Sequence, residues 1–240
     1  MVAVAFPEET DPALEKEVGV LHWVRVGQLG KMLKIFKSAG VRRAVMAGQV
    51  RHVHVFQARP DLAALKLVFR LPDTRTDSIL GAFAGEMEKQ GIHMEDSTAF
   101  LTDHLAGAGA IGKRKPDRKT AADIAFGWKI AKGVAGMDVG QTVVVKKGSV
   151  VAVESVEGTD EAIRRGAKFA GDGVVVVKVA KPKQDMRFDV PVVGERTIGV
   201  LREVNAAAMA VETGHTLLLD RPAVIRAADS AGIVLWGVRP

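Results

Sequence analysis

The 240-residue sequence contains no cysteine and no tyrosine, and aromatic residues make up only 5% of it. Without cysteine, the chain has no disulfide, no thiolate nucleophile and no cysteine-ligated zinc site. The scarcity of aromatic side chains argues against a surface that binds nucleic acid by base stacking. We therefore expect no nucleic-acid partner.

Long apolar runs are also missing. The runs VAVAF, VVVVKVA and IVLWGV are far shorter than the roughly 20 residues that span a bilayer. The amino terminus lacks the basic segment, apolar stretch and cleavage site of a secretory signal. We expect a cytoplasmic protein, and peripheral contact with a membrane stays open.

What the chain does contain is an ordinary globular composition with a basic surplus. Apolar residues make up 48% and charged residues 26%, as in typical folded domains. The 34 basic and 28 acidic residues leave a net charge of +6, which favours anionic partners such as phosphates, nucleotides, nucleic acid or an acidic membrane surface without choosing among them. The length allows one large domain or two modest ones.

Hydrophobic periodicity predicts an α/β amino-terminal domain. The stretch QLGKMLKIFKSAG places apolar residues at helical spacing and ends at Gly40, which predicts an amphipathic helix. VRRAVMAG predicts a short buried strand, and residues 77–90 predict a second helix that ends at Gly91. This succession is typical of a layered α/β domain.

A change of composition predicts a second domain. LAGAGAIG gives way to the basic run KRKPDRK, so we predict one domain over 1–108, a linker over 109–120 and another domain over 121–240. The basic run is either a solvated hinge or a contact for anionic lipid or phosphate. TVVVKKGSVVAVES predicts a hairpin, and further helix and strand patterns follow. We expect two α/β domains with mixed sheets and packed helices.

Acidic residues surround the predicted start of one helix, in VAVESVEGTDEAIRRG. Thr159 can cap that helix, and Asp160 lies in its first turn. Glu157 and Asp160 are therefore either turn and cap residues or parts of a site. Their negative charge opposes the binding of phosphate at the helix start unless a divalent cation bridges the acids and the phosphate.

The stretch KPKQDMRFDVPVVG alternates charged and apolar residues. Because Pro182 excludes a regular helix, we predict an extended segment with its charges on one face. Such a face offers cations for phosphate oxygens and a carboxylate for magnesium or a water proton, although an ordinary charged edge strand has the same pattern. The charged residues are Lys181, Lys183, Asp185, Arg187 and Asp189.

Two histidines are the remaining metal candidates that share a predicted face. His52 and His54 lie two positions apart on a predicted strand. Two imidazoles fall short of a usual zinc site, so we interpret them as surface residues.

Three stretches of the carboxyl-terminal half form a specific pattern: DVGQTVVVKKGSVVAVESVEGTDEAIRR, KPKQDMRFDVPVVGERTIG and LLLDRPAVIRAADSAGIVLWGV. They resemble the LpxI family of UDP-2,3-diacylglucosamine pyrophosphatases. A looser likeness continues through VGQLGKMLKIFKSAGVRRAVMAGQV, LPDTRTDSILGAFAGEMEKQGI and IGKRKPDRKTAADI. Family chains usually open with a strand, a glycine-rich turn and a helix, and by this resemblance the sequence starts after them, at VAVAFPEETDP.

The resemblance implies a function and a site. Family members hydrolyse UDP-2,3-diacylglucosamine to UMP and 2,3-diacylglucosamine 1-phosphate (lipid X) in lipid A synthesis, with magnesium, and hold the lipid between two domains. It makes Asp189 the catalytic residue, as metal ligand or water activator, and Asp160 a second candidate ligand for Mg²⁺. The residues implied to bind substrate are Glu157, Thr159, Asp160, Lys181, Lys183, Gln184, Asp185 and Arg187.

A non-catalytic relative is the alternative. Such a protein would keep affinity for the lipid or the nucleotide sugar without turnover, and the missing amino-terminal segment is what motivates this hypothesis. Release of UMP separates the two.

Overall fold

The computed structural model describes residues 1–7, 9–48, 59–73 and 75–240. The chain forms two compact units, Met1–Ser97 and Thr98–Pro240. His52 and His54 lie outside the described residues, so their interpretation stays a prediction.

The first unit combines short parallel strand pairs with helices. Strand β1 pairs with β2, and β3 pairs with β4, both in parallel. A short 3-10 helix, Pro12–Lys16, lies between β1 and β2. The elements in chain order are β1 (Val2–Ala5), β2 (Val20–Trp23), α1 (Leu29–Ser38), β3 (Arg43–Ala44), α2 (Leu62–Val68), α3 (Thr76–Lys89) and β4 (His93–Met94).

Both helices predicted in this unit are confirmed. Helix α1 buries Leu29, and α3 buries Ala84 and Met87. Each is followed by a glycine with positive φ, 65° at Gly40 and 74° at Gly91, a conformation that glycine adopts without steric cost. The strand predicted in VRRAVMAG is only two residues long and is not buried.

The second unit contains the remaining strands and helices. They follow a short 3-10 helix, Thr102–His104, and one or two strands separate successive helices. The elements are β5 (Gly109–Ala110), α4 (Arg118–Gly136), β6 (Thr142–Lys146), β7 (Ser149–Val153), α5 (Thr159–Ala170), β8 (Val175–Lys178), β9 (Val192–Val193), α6 (Glu195–Glu203), β10 (Ala208–Glu212), β11 (Leu217–Leu218), α7 (Arg221–Ser230) and β12 (Val234–Val238).

Six of these strands form one mixed sheet in the order β5-β12-β10-β8-β6-β7. Strands β8, β10 and β12 are parallel, whereas β6 runs antiparallel to β8 and β7 antiparallel to β6. The carboxyl ends of β7, β8, β10 and β12 therefore share one edge with the amino end of β6. We call this the carboxyl edge. Strands β9 and β11 form a separate parallel pair.

Helices cover both faces of the sheet. On one face, α4 packs Ile124 and Ala131 against alternate valines of β6 and β8. On the other face, α5, α6 and α7 pack Ile163, Leu201 and Val224 against the intervening strand residues. This three-layer arrangement confirms the predicted α/β class. None of the helices in the described part of the chain combines the length and the apolar character that a bilayer crossing requires.

The residues predicted as a linker are integrated into the second unit. Ala110 of β5 pairs with Trp236 of β12, and the Lys113 amide donates to Asp229 at 2.8 Å. The division between the two units falls earlier, at Ser97. Residues 107–112 read GAGAIG, the spacing of a dinucleotide-binding turn, but they run along the sheet edge and do not lead from a strand into a helix.

The prediction that residues 181–189 are extended is wrong. The chain turns at Pro182–Lys183 and again at Met186–Phe188, and the Gln184 amide donates to the Lys181 carbonyl at 3.1 Å. Pro182 occupies the second position of this turn, where its fixed φ is favourable. The charged side chains therefore do not share the face of a strand.

Candidate functional site

Asp189 lies in the connection between β8 and α6, at the carboxyl edge. Its Oδ2 atom accepts hydrogen bonds from the side-chain amides of Gln141 and Gln184, each at 2.8 Å. The Gln184 amide also donates to the Asp189 carbonyl. The Asp189 side chain is 40% exposed, and its Oδ1 atom has no hydrogen-bond partner among the described residues. Two amides thus orient a partly exposed carboxylate whose Oδ1 atom receives no hydrogen bond from the described residues.

Lys181 contributes a positive charge beside this carboxylate. Its Nζ atom lies 2.7 Å from Asp138 Oδ1 and 3.9 Å from Asp189 Oδ2. Asp138 follows α4 and has a positive φ of 58°. One ammonium is therefore within ion-pairing distance of two carboxylates.

A buried ion pair anchors the start of the connection that bears Asp189. Glu212, at the end of β10, has a side chain only 3% exposed. Its two oxygens accept from Lys132 Nζ at 3.1 and 3.0 Å, and Oε2 also accepts from the Ala180 amide at 2.8 Å. Lys132 Nζ donates in addition to the Ala180 carbonyl at 2.9 Å. The residue directly before Lys181 is thus held on both sides of its backbone.

Sequence reasoning missed Lys132, Glu212 and Gln141. Glu212 ends a strand that the sequence pattern did not predict, and Lys132 is one of many lysines on a helix. No local signal pairs them, because the two residues are far apart in the chain.

Thr159 does not cap α5, contrary to prediction. The helix begins after Gly158, and no side chain caps it. The Thr159 hydroxyl instead donates to Glu154 Oε1 at 2.8 Å and accepts from Lys178 Nζ at 2.7 Å. It therefore joins the ends of β7 and β8 at the carboxyl edge.

The two acids near this helix start each have an arginine partner. Glu157 pairs with Arg165, whose hydrogen bond lowers the pKa of the Glu157 carboxyl below its usual value. Asp160 Oδ2 lies 2.8 Å from Arg196 Nε, which links the starts of α5 and α6. Within the described part of the chain, no contact joins either acid to Asp189.

The remaining predicted residues lie in the turns of the same connection. Arg187 donates to both carboxylate oxygens of Asp185, at 2.9 and 2.8 Å. These hydrogen bonds are the main cause of a lowered pKa at Asp185. Lys183 is exposed. Asp185 and Arg187 thus form a local pair, whereas the Gln184 side chain hydrogen-bonds to the Asp189 carboxylate.

The donor set decides whether magnesium fits here. In the described ranges, no three histidine or carboxylate side chains come together around a common point. Magnesium is commonly bound by one or two carboxylates together with substrate phosphates. Asp189 Oδ1 fits that role, whereas Asp160 is held by Arg196. The site suits a cation that arrives with a phosphorylated ligand.

Comparison with known proteins finds two family domains in the chain. The family models for the LpxI N-terminal domain and the LpxI C-terminal domain match residues 1–104 and 107–236. A curated relative, "UDP-2,3-diacylglucosamine pyrophosphatase LpxI" of Caulobacter vibrioides, is 32% identical over 242 aligned positions, which cover 96% of this chain and 85% of the relative. The chain therefore belongs to the LpxI family.

Proposed function

We propose that this protein hydrolyses the pyrophosphate bond of UDP-2,3-diacylglucosamine to give UMP and 2,3-diacylglucosamine 1-phosphate, and that it uses Mg²⁺. Membership of the LpxI family and the activity in the relative's name support the substrate. The observation that carries the proposal is the orientation of the partly exposed Asp189 carboxylate by two amides that both engage Oδ2. Ligands of open α/β sheets bind at this edge of the strands.

Asp189 is the residue at the reacting centre. Because Gln141 and Gln184 engage Oδ2, the Oδ1 atom is the one that either holds the metal or takes a proton from the attacking water. A magnesium ion held by Asp189 would supply positive charge, which would stabilise the negative charge that develops on the diphosphate in the transition state.

Lys181 and the Glu212–Lys132 pair have different tasks in this mechanism. Lys181 places a cation beside Asp189, where it offsets the repulsion between the carboxylate and the anionic substrate. Glu212 and Lys132 lie behind the connection and hold its start, so they position the site without contacting the reacting atoms. A carboxylate held in place before substrate arrives needs no reorganisation during the reaction.

The decisive experiment measures UMP release from UDP-2,3-diacylglucosamine by the full chain with Mg²⁺. Asp189→Asn removes the charge, and we expect turnover to fall by at least about 10²-fold, as for loss of a general base. Asp172→Asn is the matched control, because Asp172 precedes β8 at the opposite edge of the sheet. Unchanged turnover in Asp189→Asn contradicts the assignment.

The dependence on magnesium separates the two roles of Asp189. A lost metal ligand is partly compensated when the Mg²⁺ concentration is raised, whereas a lost base is not. No UMP from a folded wild-type protein that still binds substrate supports the non-catalytic alternative.

We also propose that the reaction takes place in the cytoplasm with contact at a membrane surface. The substrate is a UDP sugar with two acyl chains, and its lipid portion requires an apolar environment. Sedimentation of the protein with vesicles that contain the substrate, and not with vesicles that lack it, is the expected result.

A further inference from the structure

Lys178, the last residue of β8, is buried and has few partners. The residue is 9% exposed, and within the described part of the chain the Thr159 hydroxyl is the only hydrogen-bond partner of its Nζ atom. An ammonium carries three donors. Two N–H groups of a buried cation are therefore left for another acceptor, and leaving them without one is unfavourable.

Thr159 fixes the position of this ammonium. The Thr159 hydroxyl donates to Glu154 Oε1 at 2.8 Å, so its oxygen is free to accept from Lys178 Nζ at 2.7 Å. Because Thr159 is the first residue of α5, Nζ is held at the amino terminus of that helix. If Lys178 served only to balance the charge of Glu154 through the hydroxyl, the affinity of the protein for a phosphate ligand would not depend on Lys178.

The start of α5 adds positive potential to that of Lys178. No side chain caps the helix, so the first backbone N–H groups are available and the helix dipole is positive there. The acids of the first turn are paired with arginines, Asp160 with Arg196 and Glu161 with Arg164. They therefore oppose an anion much less than the sequence alone indicates.

Neighbouring residues connect Lys178 to the Asp189 region. Thr142 is the register partner of Lys178 across β6 and β8, and the preceding residue, Gln141, donates to Asp189. Thr142 Oγ1, Gln141 Oε1 and Glu154 Oε2 are buried without hydrogen-bond partners among the described residues. Buried polar groups normally have partners, and Gln141 Oε1 and Glu154 Oε2 only accept hydrogen bonds, so a donor such as water suits these two atoms and a phosphate oxygen does not.

We infer that Lys178, together with the first turn of α5, binds a phosphate oxygen of the substrate's diphosphate. The identity of the substrate rests on the function proposed above, whereas the phosphate chemistry follows from the buried ammonium and the uncapped helix. Lys178 is thus a substrate-binding residue, and Thr159 and Glu154 position it.

Binding of inorganic pyrophosphate without metal, measured by calorimetry at low salt, tests the inference. Lys178→Met keeps the length of the side chain and removes its charge, and we expect about tenfold to a hundredfold weaker binding, as for loss of a hydrogen bond to a charged group. Lys146→Met is the matched control, because Lys146 ends β6 at the opposite edge of the same sheet. Wild-type affinity in the control is expected.

Two results overturn the inference: equal affinity of Lys178→Met and wild type for pyrophosphate, or no binding by either. If Lys178→Met fails to fold by circular dichroism, Thr159→Val removes the hydroxyl that holds Nζ. It is expected to weaken pyrophosphate binding, and unchanged affinity refutes the inference. A wild type that binds pyrophosphate but releases no UMP refutes the proposed function and leaves the role of Lys178 intact.

Discussion

Replacing Lys132 by methionine tests the buried pair that anchors the connection bearing Asp189. The substitution keeps an unbranched side chain but leaves the Glu212 carboxylate, 3% exposed, with only the Ala180 amide among its described hydrogen-bond donors. Removing one partner of a buried ion pair costs about 3–5 kcal/mol. Lys132 is itself 26% exposed, which favours the lower end. A loss of about 3 kcal/mol lowers Tm by about 6–12 °C in a domain of this size.

Thermal unfolding of the full chain by circular dichroism measures this effect. Arg164→Met is the control, because Arg164 and its partners Glu161 and Glu203 are substantially exposed and such pairs contribute less than about 1 kcal/mol. The double variant Lys132→Met with Glu212→Met removes both charges and is expected to be more stable than Lys132→Met alone. A Tm loss in Lys132→Met no larger than in the control refutes the reasoning.

Two further predictions concern packing and acid dependence. A Cβ atom at Gly127 would lie 2.8 Å from Val177 and 2.9 Å from Val145, so Gly127→Ala should destabilise the protein by about 1–3 kcal/mol. Gly133 lies in the same helix with open space around it, so Gly133→Ala should stabilise the protein by about 0.5–1 kcal/mol. Urea unfolding that finds Gly127→Ala more stable than Gly133→Ala contradicts the described packing. Arg187 lowers the pKa of Asp185. The stability that this pair contributes is therefore fully present above the unfolded-state pKa of Asp185, and it is lost as pH falls through the lower folded-state pKa. Arg187→Met should return that pKa toward its usual value in an NMR titration, and an unchanged pKa refutes this cause.

Elements in which apolar residues recur with a clear helical or strand period were predictable from the sequence. Helices α1 and α3 have apolar residues on one face and a terminal glycine, and the hairpin of β6 and β7 turns at Lys147 and Gly148, both with positive φ. These are local signals, which depend on residues within a few positions of one another.

Strand β10 was missed because it is buried on both faces. Its sequence, AMAVE, follows two further alanines and shows no alternation, as expected for a central parallel strand. Alanine and methionine also favour helices. Glu212 was missed with it, and its pairing with Lys132, 80 positions away, depends on the folded sheet.

In the segment that carries Asp189, the sequence pattern predicts a strand where the structure has turns. Alternating charge and a proline were interpreted as a strand, but Pro182 also suits the second position of a turn, and local pattern does not choose between the two. The family resemblance singled out Asp189, whereas its contact with Gln141 required the register of β6 against β8.

The groups that orient Asp189 are carboxamides, and this has a consequence for its chemistry. Gln141 and Gln184 neither gain nor lose a proton in the range where proteins remain folded. Their side-chain N–H groups consequently remain able to donate to the Asp189 carboxylate in both mild acid and mild alkali. An acid limb in a rate profile of this protein would then not report the titration of the two residues that orient Asp189.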